Sequence, residues 1–288
     1  MYLHTRPGRV DKPNEDYVAA ASGTSVRAVL LDGAGGPAEL PTGCRHGTAW
    51  YVNQLGDRLI LRMSDPGVAL TEVLAAAIKA VAELHDRSCD LTHPGTPAST
   101  VVMARRAEDK VEYLVLGDST FVADVGGEIV TVSDRRIDAV GVDLWKAMAA
   151  LPTGTPGHQA ARIRFVEHLR RMRNRRGGYP TAAGAPAAAH EALTGDFPAE
   201  QVRRIALLSD GATRFVEFGL GEFADALDIL GSQAPERLFD RVRAAEASDP
   251  DGERWPRAKR TDDIAAVYLP GSKPGSSQRT GTPSSRPR

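Results

Sequence analysis

Four acidic motifs along the 288-residue chain carry the side chains best suited to chemistry: Asn14-Glu15-Asp16, Asp32-Gly33-Ala34-Gly35-Gly36, Ser209-Asp210-Gly211 and Asp262-Asp263. Each stands at the end of a segment rich in strand-forming residues. Strand interiors reject aspartate, whereas strand ends can hold it in a fixed position. Carboxylates that converge without matching basic partners repel one another, and bound cations relieve that repulsion. Donors that are all oxygen select hard ions such as Mg²⁺ or Mn²⁺ over zinc. The glycines after Asp32 let the backbone turn sharply and bring a carbonyl close to an ion. Taken singly, each motif is an ordinary turn, because Asp-Gly is a frequent turn dipeptide. The specificity lies in the ordered set.

The elements that must position these acids come in blocks. Residues 17–20 and 26–31 read as strands, while 49–61 and 68–85 carry apolar residues at helical spacing. Short β-rich runs follow at 99–104, 111–116, 120–124 and 128–132, the last two flanking Val125-Gly126-Gly127, a hairpin signal. Helices are expected at 142–150, 158–172, 222–230 and 235–246, and strands at 203–208 and 264–269. This order predicts an antiparallel α+β layered fold, since parallel α/β folds alternate strand and helix more regularly. Residues 141–196 read as a flap-like insertion. Its helix carries Arg162, Arg164, His168, Arg170 and Arg171, and an Arg- then Ala/Gly-rich stretch follows. It either borders a site for an anionic substrate or is a solvated surface connection.

Composition narrows the class. A net charge of −1 provides no global field for nucleic acid or a membrane surface, so neither is expected as a partner. No run of about 18 apolar residues and no signal-peptide pattern is present, so a cytoplasmic protein is expected. Cys44 and Cys89 lie far apart without CxxC spacing, and zinc sites usually need more cysteines. Both are therefore expected to be reduced and partly buried. Residues 1–270 are expected to form a single domain, and 271–288 a disordered basic tail without an apolar side chain other than proline.

With these motifs in hand, the chain resembles the metal-dependent protein phosphatases of the PPM or type 2C class, bacterial branch. The resemblance rests on Asn14-Glu15-Asp16, Val29 to Gly36, Gly117-Asp118-Ser119, Leu207 to Gly211 and Thr261-Asp262-Asp263-Ile264, in the family order over residues 9 to 269. It implies a four-layer α-β-β-α sandwich of two antiparallel sheets flanked by helices. It also implies a phosphoserine/phosphothreonine phosphatase in which a water bridging two Mn²⁺ or Mg²⁺ ions attacks phosphorus. Asp32 would bridge the two ions, Asp210 and Asp262 would complete one, and Glu15 with the Gly33 carbonyl would hold the other. Asp32 and Asp210 would thus be the catalytic carboxylates, with Asp16, Asp118 and Asp263 supporting the metal shell. The substrate would be a phosphorylated protein or a small phosphomonoester.

The chain departs from the family pattern at several positions. Ala34 stands where many members carry a histidine proposed as proton donor. His46 is a candidate replacement, against its plainer reading as a helix-start residue. Asp11 occupies the place of the phosphate-binding arginine, leaving Arg9 or Lys12 nearby. Lys259 and Arg260 can also approach phosphate, though a solvated loop is their default reading. Arg214 replaces the acid that completes a third metal site with Asp118, so an Asp118–Arg214 ion pair is expected and a third metal is not. These losses keep a second reading open, that of a catalytically weak member acting as a phospho-partner binder or regulatory scaffold.

Overall fold

The computed structural model describes residues 1–85 and 88–271. Apart from Gly271, the basic tail expected at 271–288 lies outside the described residues. Ten strands form two five-stranded sheets. One sheet comprises β1 (Tyr2–Arg6), β10 (Ile264–Pro270), β9 (Val202–Leu208), β6 (Thr120–Val125) and β7 (Glu128–Val132), in that spatial order. The other comprises β2 (Asp16–Ala21), β3 (Val26–Gly33), β4 (Ser99–Arg106), β5 (Lys110–Leu116) and β8 (Leu193–Pro198). Every pairing is antiparallel.

Side-chain alternation along the central strands explains why the sheets stack. On β3, Ala28 and Leu30 face the first sheet and meet Phe121, Ile205, Leu207 and Val267. Val29 and Leu31 face outward, onto α1 (Thr48–Arg62) and α2 (Leu70–Leu84). On the first sheet, Ala206, Leu208 and Ala266 face outward onto α5 (Asp210–Glu217), α6 (Phe223–Leu230) and α7 (Arg237–Ser248). Both faces of both sheets are thus apolar, and helices must cover the outer two. The result is the four-layer α-β-β-α arrangement. Among the described residues, no helix is long and apolar enough to cross a membrane.

Three elements escape the sequence pattern. β1 and α5 are short, and β8 has almost no apolar alternation. β8 is nonetheless a strand because it pairs with the edge of β5 from Leu193↔Val115 to Pro198↔Lys110. The flap-like insertion expected over 141–196 therefore ends earlier, and 193–196 belong to the sheet. The insertion proper contains α3 (Val142–Ala149) and α4 (Pro156–Met172). Thr155 caps α4 by accepting a hydrogen bond from the His158 amide, with Pro156 in the first turn.

A buried cation ties β4 to the helical layer. The Arg105 side chain is fully buried, pairs with Glu112 at 2.8 Å, and donates to the carbonyls of Asp65 and Val68 at 2.7 and 2.9 Å. Removing it strands two carbonyls and leaves the Glu112 carboxylate with Lys110 as its remaining cation, at 2.9 Å. The Arg105→Ala variant should lose about 3 kcal/mol of stability by urea denaturation. A loss under about 1 kcal/mol would show instead that solvent reaches those partners.

Candidate active site

Antiparallel pairing collects the acidic motifs at one end of the sandwich. Asp16 opens β2 opposite Asp32 near the end of β3, in register. Asp32 in turn lies opposite Thr100 at the start of β4. In the other sheet, Leu208 ends β9 beside Ala266 of β10 and Thr120 of β6. Asp210, Asp262 and Asp118 therefore leave the same end of that sheet. The two sheets meet there: the Asp210 amide, at the N-terminus of α5, donates to the Asp32 carboxylate at 3.3 Å.

Local structure fixes the remaining acids. Asp263 accepts hydrogen bonds from the amides of Gly8 and Glu15, at 2.7 and 2.8 Å. Both its oxygens thus anchor the N-terminal loop that presents Glu15. A Cβ on Gly35 would lie 2.1 Å from a Glu15 carboxylate oxygen, so only glycine lets the loop after Asp32 pass this close. Gly117 turns the chain from β5 toward Asp118 with φ +88°, and a side chain there would collide with Thr100. The Gly33 carbonyl accepts from Gly35 at 2.9 Å and keeps one lone pair for another partner.

Burial and crowding perturb Glu15, Asp16, Asp32, Asp118, Asp210 and Asp262. Burial, reinforced by Asp210, Asp16 and other acids, pushes Asp32 well above the ordinary range. Burial and then Asp210, Asp263 and Asp262 do the same to Asp16. Burial and the Asp210 charge push Asp118 up to about 7. One buried oxygen of Asp16 has no hydrogen-bond partner. Asp262 is the exception. Burial raises it too, but Lys259 and Arg214 outweigh that effect and hold it below the usual range. Arg214 reaches its Oδ2 at 3.0 Å, and Lys259 its Oδ1.

The expected Asp118–Arg214 pair does not form. Arg214 projects from α5 toward α7, where Glu246 has a fully buried carboxylate that needs a counter-charge. Between Glu246 and Asp262 its guanidinium is fully engaged. Arg9 pairs with Asp11 on the surface, at the rim of the groove that contains Glu15, Asp262 and Asp263. His46 is not a cleft residue either; it stacks on Trp50, with ring centroids 4.2 Å apart. Of the two cations before Thr261, Arg260 turns away toward Thr153 and Asp251, whereas Lys259 lines the site.

The acids open into a cleft of about 180 Å³ lined by Asp32, Asp118, Asp210, Arg162, Arg173 and Lys259. A wider groove of about 670 Å³ borders it, shares Arg162 and Lys259, and contains Glu15, Asp262 and Asp263. Arg162, Phe165 and Leu169 of α4 form the wall contributed by the insertion. The Arg162 Nε is buried without a hydrogen-bond partner. Arg173 is fixed by the carbonyls of Ala34, at 2.7 Å, and Thr96. In the sequence Arg162 was one of several basic residues on a helix; only the docking of α4 distinguishes it from Arg164 and Arg171.

The donor set fits divalent cations. Glu15, Asp16, Asp32, Asp118 and Asp210 supply hard oxygen donors at one end of the sandwich, and burial with their mutual repulsion outweighs the nearby cations and raises each of them. Asp262 can join them to the extent that Lys259 or Arg214 yields one of its oxygens.

Comparison with known proteins agrees with this architecture. Residues 6–143 match the protein phosphatase 2C family model. The fold is similar to the crystal structure of the serine/threonine phosphatase Stp1 from Staphylococcus aureus, with 15% identity, TM-score 0.53 and 94% of each chain covered. It is also similar to a bacterial serine phosphatase, at 14% identity and TM-score 0.54, over 94% of this chain and 98% of that one. A third similar structure is PppA, described as a key regulatory component of T6SS in Pseudomonas aeruginosa, at 17% identity and TM-score 0.52, covering 94% and 96% of the two chains. No curated protein matches the chain in sequence. The chain therefore has the type 2C phosphatase fold over most of its length, and that family's sequence pattern over residues 6–143.

The raised carboxyls make a pH prediction. A carboxyl with an ordinary value near 4 when unfolded and about 7 when folded, as for Asp118, binds more protons in the native state between those limits. Metal-free protein should therefore lose stability as pH rises through that window, and Mn²⁺ should stabilise more strongly at its upper end. Thermal melts in EDTA should fall by several degrees across the window, and Asp118→Asn should flatten part of the slope. A melting temperature that rises with pH in EDTA would contradict the charge crowding.

Proposed function

We propose that the chain is a metal-dependent phosphatase acting on phosphoserine and phosphothreonine. The observation that carries this reading is the convergence of Asp16, Asp32, Asp118 and Asp210 beside a cleft walled by Arg162 and Lys259, on a type 2C fold. Glu15, Asp32, the Gly33 carbonyl, Asp210 and Asp262 would hold two Mn²⁺ or Mg²⁺ ions. When bound, such ions supply an activated water and neutralise charge on the transferring phosphoryl group.

The remaining work falls to this chain's own side chains. Asp263 holds Glu15 by its backbone and keeps the first acidic loop in place. The Asp210 amide orients the Asp32 carboxylate. Arg162 has a buried, unpartnered Nε at the cleft wall, and its planar fork is suited to phosphate oxygens. It would take the role for which the sequence offered Arg9, Lys12, Lys259 or Arg260. Lys259 holds Asp262 and presents a second positive charge to the cleft. The groove outside the cleft leaves room for the chain on either side of a phosphorylated residue.

A second reading rests on one contact set. Arg214 and Lys259 both grip Asp262, which favours a phospho-partner binder with weak catalysis if neither lets go.

Mn²⁺-dependent hydrolysis of a phosphothreonine peptide and of an aryl phosphate separates the two readings. The enzyme reading expects turnover that falls by at least about 10²-fold in Asp32→Asn and Asp210→Asn. It also expects Arg162→Ala to lower kcat/KM by roughly 10- to 100-fold, mainly through KM. No turnover while Mn²⁺ still raises the melting temperature would support the scaffold. Turnover unchanged in Arg162→Ala would remove that residue from phosphate binding.

A further inference from the structure

Away from the acidic cleft, Cys44, His46, His85 and Cys89 converge, with one ligand atom from each lying within 4.8 Å of all the others. The two cysteines were expected to be unrelated reduced thiols, because neither their spacing nor their number pointed to a metal. Folding brings together what the sequence separates. The loop carrying Cys44 and His46 precedes α1, while His85 ends α2 and Cys89 lies just beyond it. The Gly43 carbonyl accepts from the Asp90 amide at 2.8 Å and holds the two segments side by side.

We propose that these four side chains form a structural zinc site. The atom spacings carry the case. A tetrahedral ion with Zn–S bonds of ~2.3 Å and Zn–N bonds of ~2.05 Å requires S···S edges of roughly 3.8 Å and S···N edges of roughly 3.55 Å. The Cys44 and Cys89 sulfurs are 3.5 Å apart, and the His46 Nδ1 lies 3.6 and 3.5 Å from them. Three edges of such a tetrahedron are therefore already near their required lengths.

His85 supplies an independent observation. Its side chain is buried, with 3% of its surface exposed. Its Nδ1 lies 3.0 Å from the Val81 carbonyl, which can only accept, so Nδ1 carries the proton. Nε2 is then a bare lone pair, and it is buried with no hydrogen-bond partner. A histidine whose other nitrogen donates to a backbone carbonyl is the form in which proteins present imidazole to a metal. The His46 amide, 3.4 Å from the Cys44 sulfur, adds a donor that favours the thiolate. A Cys44–Cys89 disulfide explains less. It needs the sulfurs at ~2.05 Å and leaves the Nε2 of His85 unsatisfied.

Two thiolates and two imidazoles select zinc, unlike the all-oxygen donors of the cleft. All four positions are filled by protein, so the site is closed and structural. It would staple the loop that follows Asp32 to Gly36 onto the end of α2, bracing the segments that enter and leave the acidic site. The proposal stands whether or not the cleft is catalytic.

Zinc content and thiol reactivity test it. Full-length protein isolated without chelator should contain about one zinc per chain, by plasma mass spectrometry. That zinc should persist in Asp32→Asn/Asp210→Asn and fall at least about tenfold in Cys44→Ser/Cys89→Ser. If the cysteine variant does not fold, cobalt added to reduced, metal-free wild-type protein gives a second readout. Intense visible bands of a tetrahedral thiolate complex, displaced by zinc, are expected. Three results would overturn the proposal: zinc that follows the aspartates and not the cysteines, reduced protein that takes up cobalt without thiolate bands, or a Cys44–Cys89 disulfide in freshly isolated protein.

Discussion

Buried negative charge at one end of the sandwich is the constraint on which the rest of the structure depends. Asp16, Asp32, Asp118 and Asp210 lie close enough that each raises its neighbours' affinity for protons, and burial strengthens the effect. Such an arrangement survives only because two packed sheets hold the strand ends rigidly and the chain spends backbone amides on them. The Asp210 amide faces Asp32, and the Gly8 and Glu15 amides face Asp263. The stored repulsion makes the cluster receptive to cations, in line with the function proposed for it.

Cations of the protein itself surround this cluster unevenly. Lys259 and Arg214 hold Asp262 below the usual range, while Asp210, which their charges also reach, stays raised by burial and by Asp262. Arg214 is bound there because Glu246 is buried behind it with Arg243 on its other oxygen. The arginine at this point is thus built into the packing of α5 on α7. Arg162 and Arg173 come from the insertion and its exit, and both line the cleft. The cleft therefore has an acidic floor and basic sides, a polarity that suits a phosphoryl group held between metal ions and guanidinium groups.

The two groups of donors differ in kind as well as in place. The acidic end offers carboxylate oxygens from strand termini, fixed by sheet register. The Cys44, His46, His85 and Cys89 group offers sulfur and nitrogen from a loop and a helix end. Both flank the loop after β3, which passes from Gly33 through Gly36 toward Cys44. With the proposed ions bound, that loop would be tied to two chemically separate anchors.

Most of the fold and the acidic core were legible in the sequence, for a specific reason. The apolar, β-rich runs of β3, β4 and β9 and the glycines after Asp32 are local patterns, and strand-end acids in a fixed order carried the resemblance to an antiparallel sandwich. What the sequence could not show was partner choice. It could not tell that Leu193 to Pro198 pairs with β5, that Arg214 turns to Glu246 and not to Asp118, or that Arg162 is the residue of α4 facing the cleft. Nor did Cys44 and Cys89, 45 positions apart, predict their meeting with two histidines. The sequence by itself determined which residues carry charge and which segments are apolar, strand-forming runs, because those follow from neighbours along the chain. Only the tertiary structure decided which charges meet, because that depends on how helices dock on sheets and which buried group has the greater need of a partner.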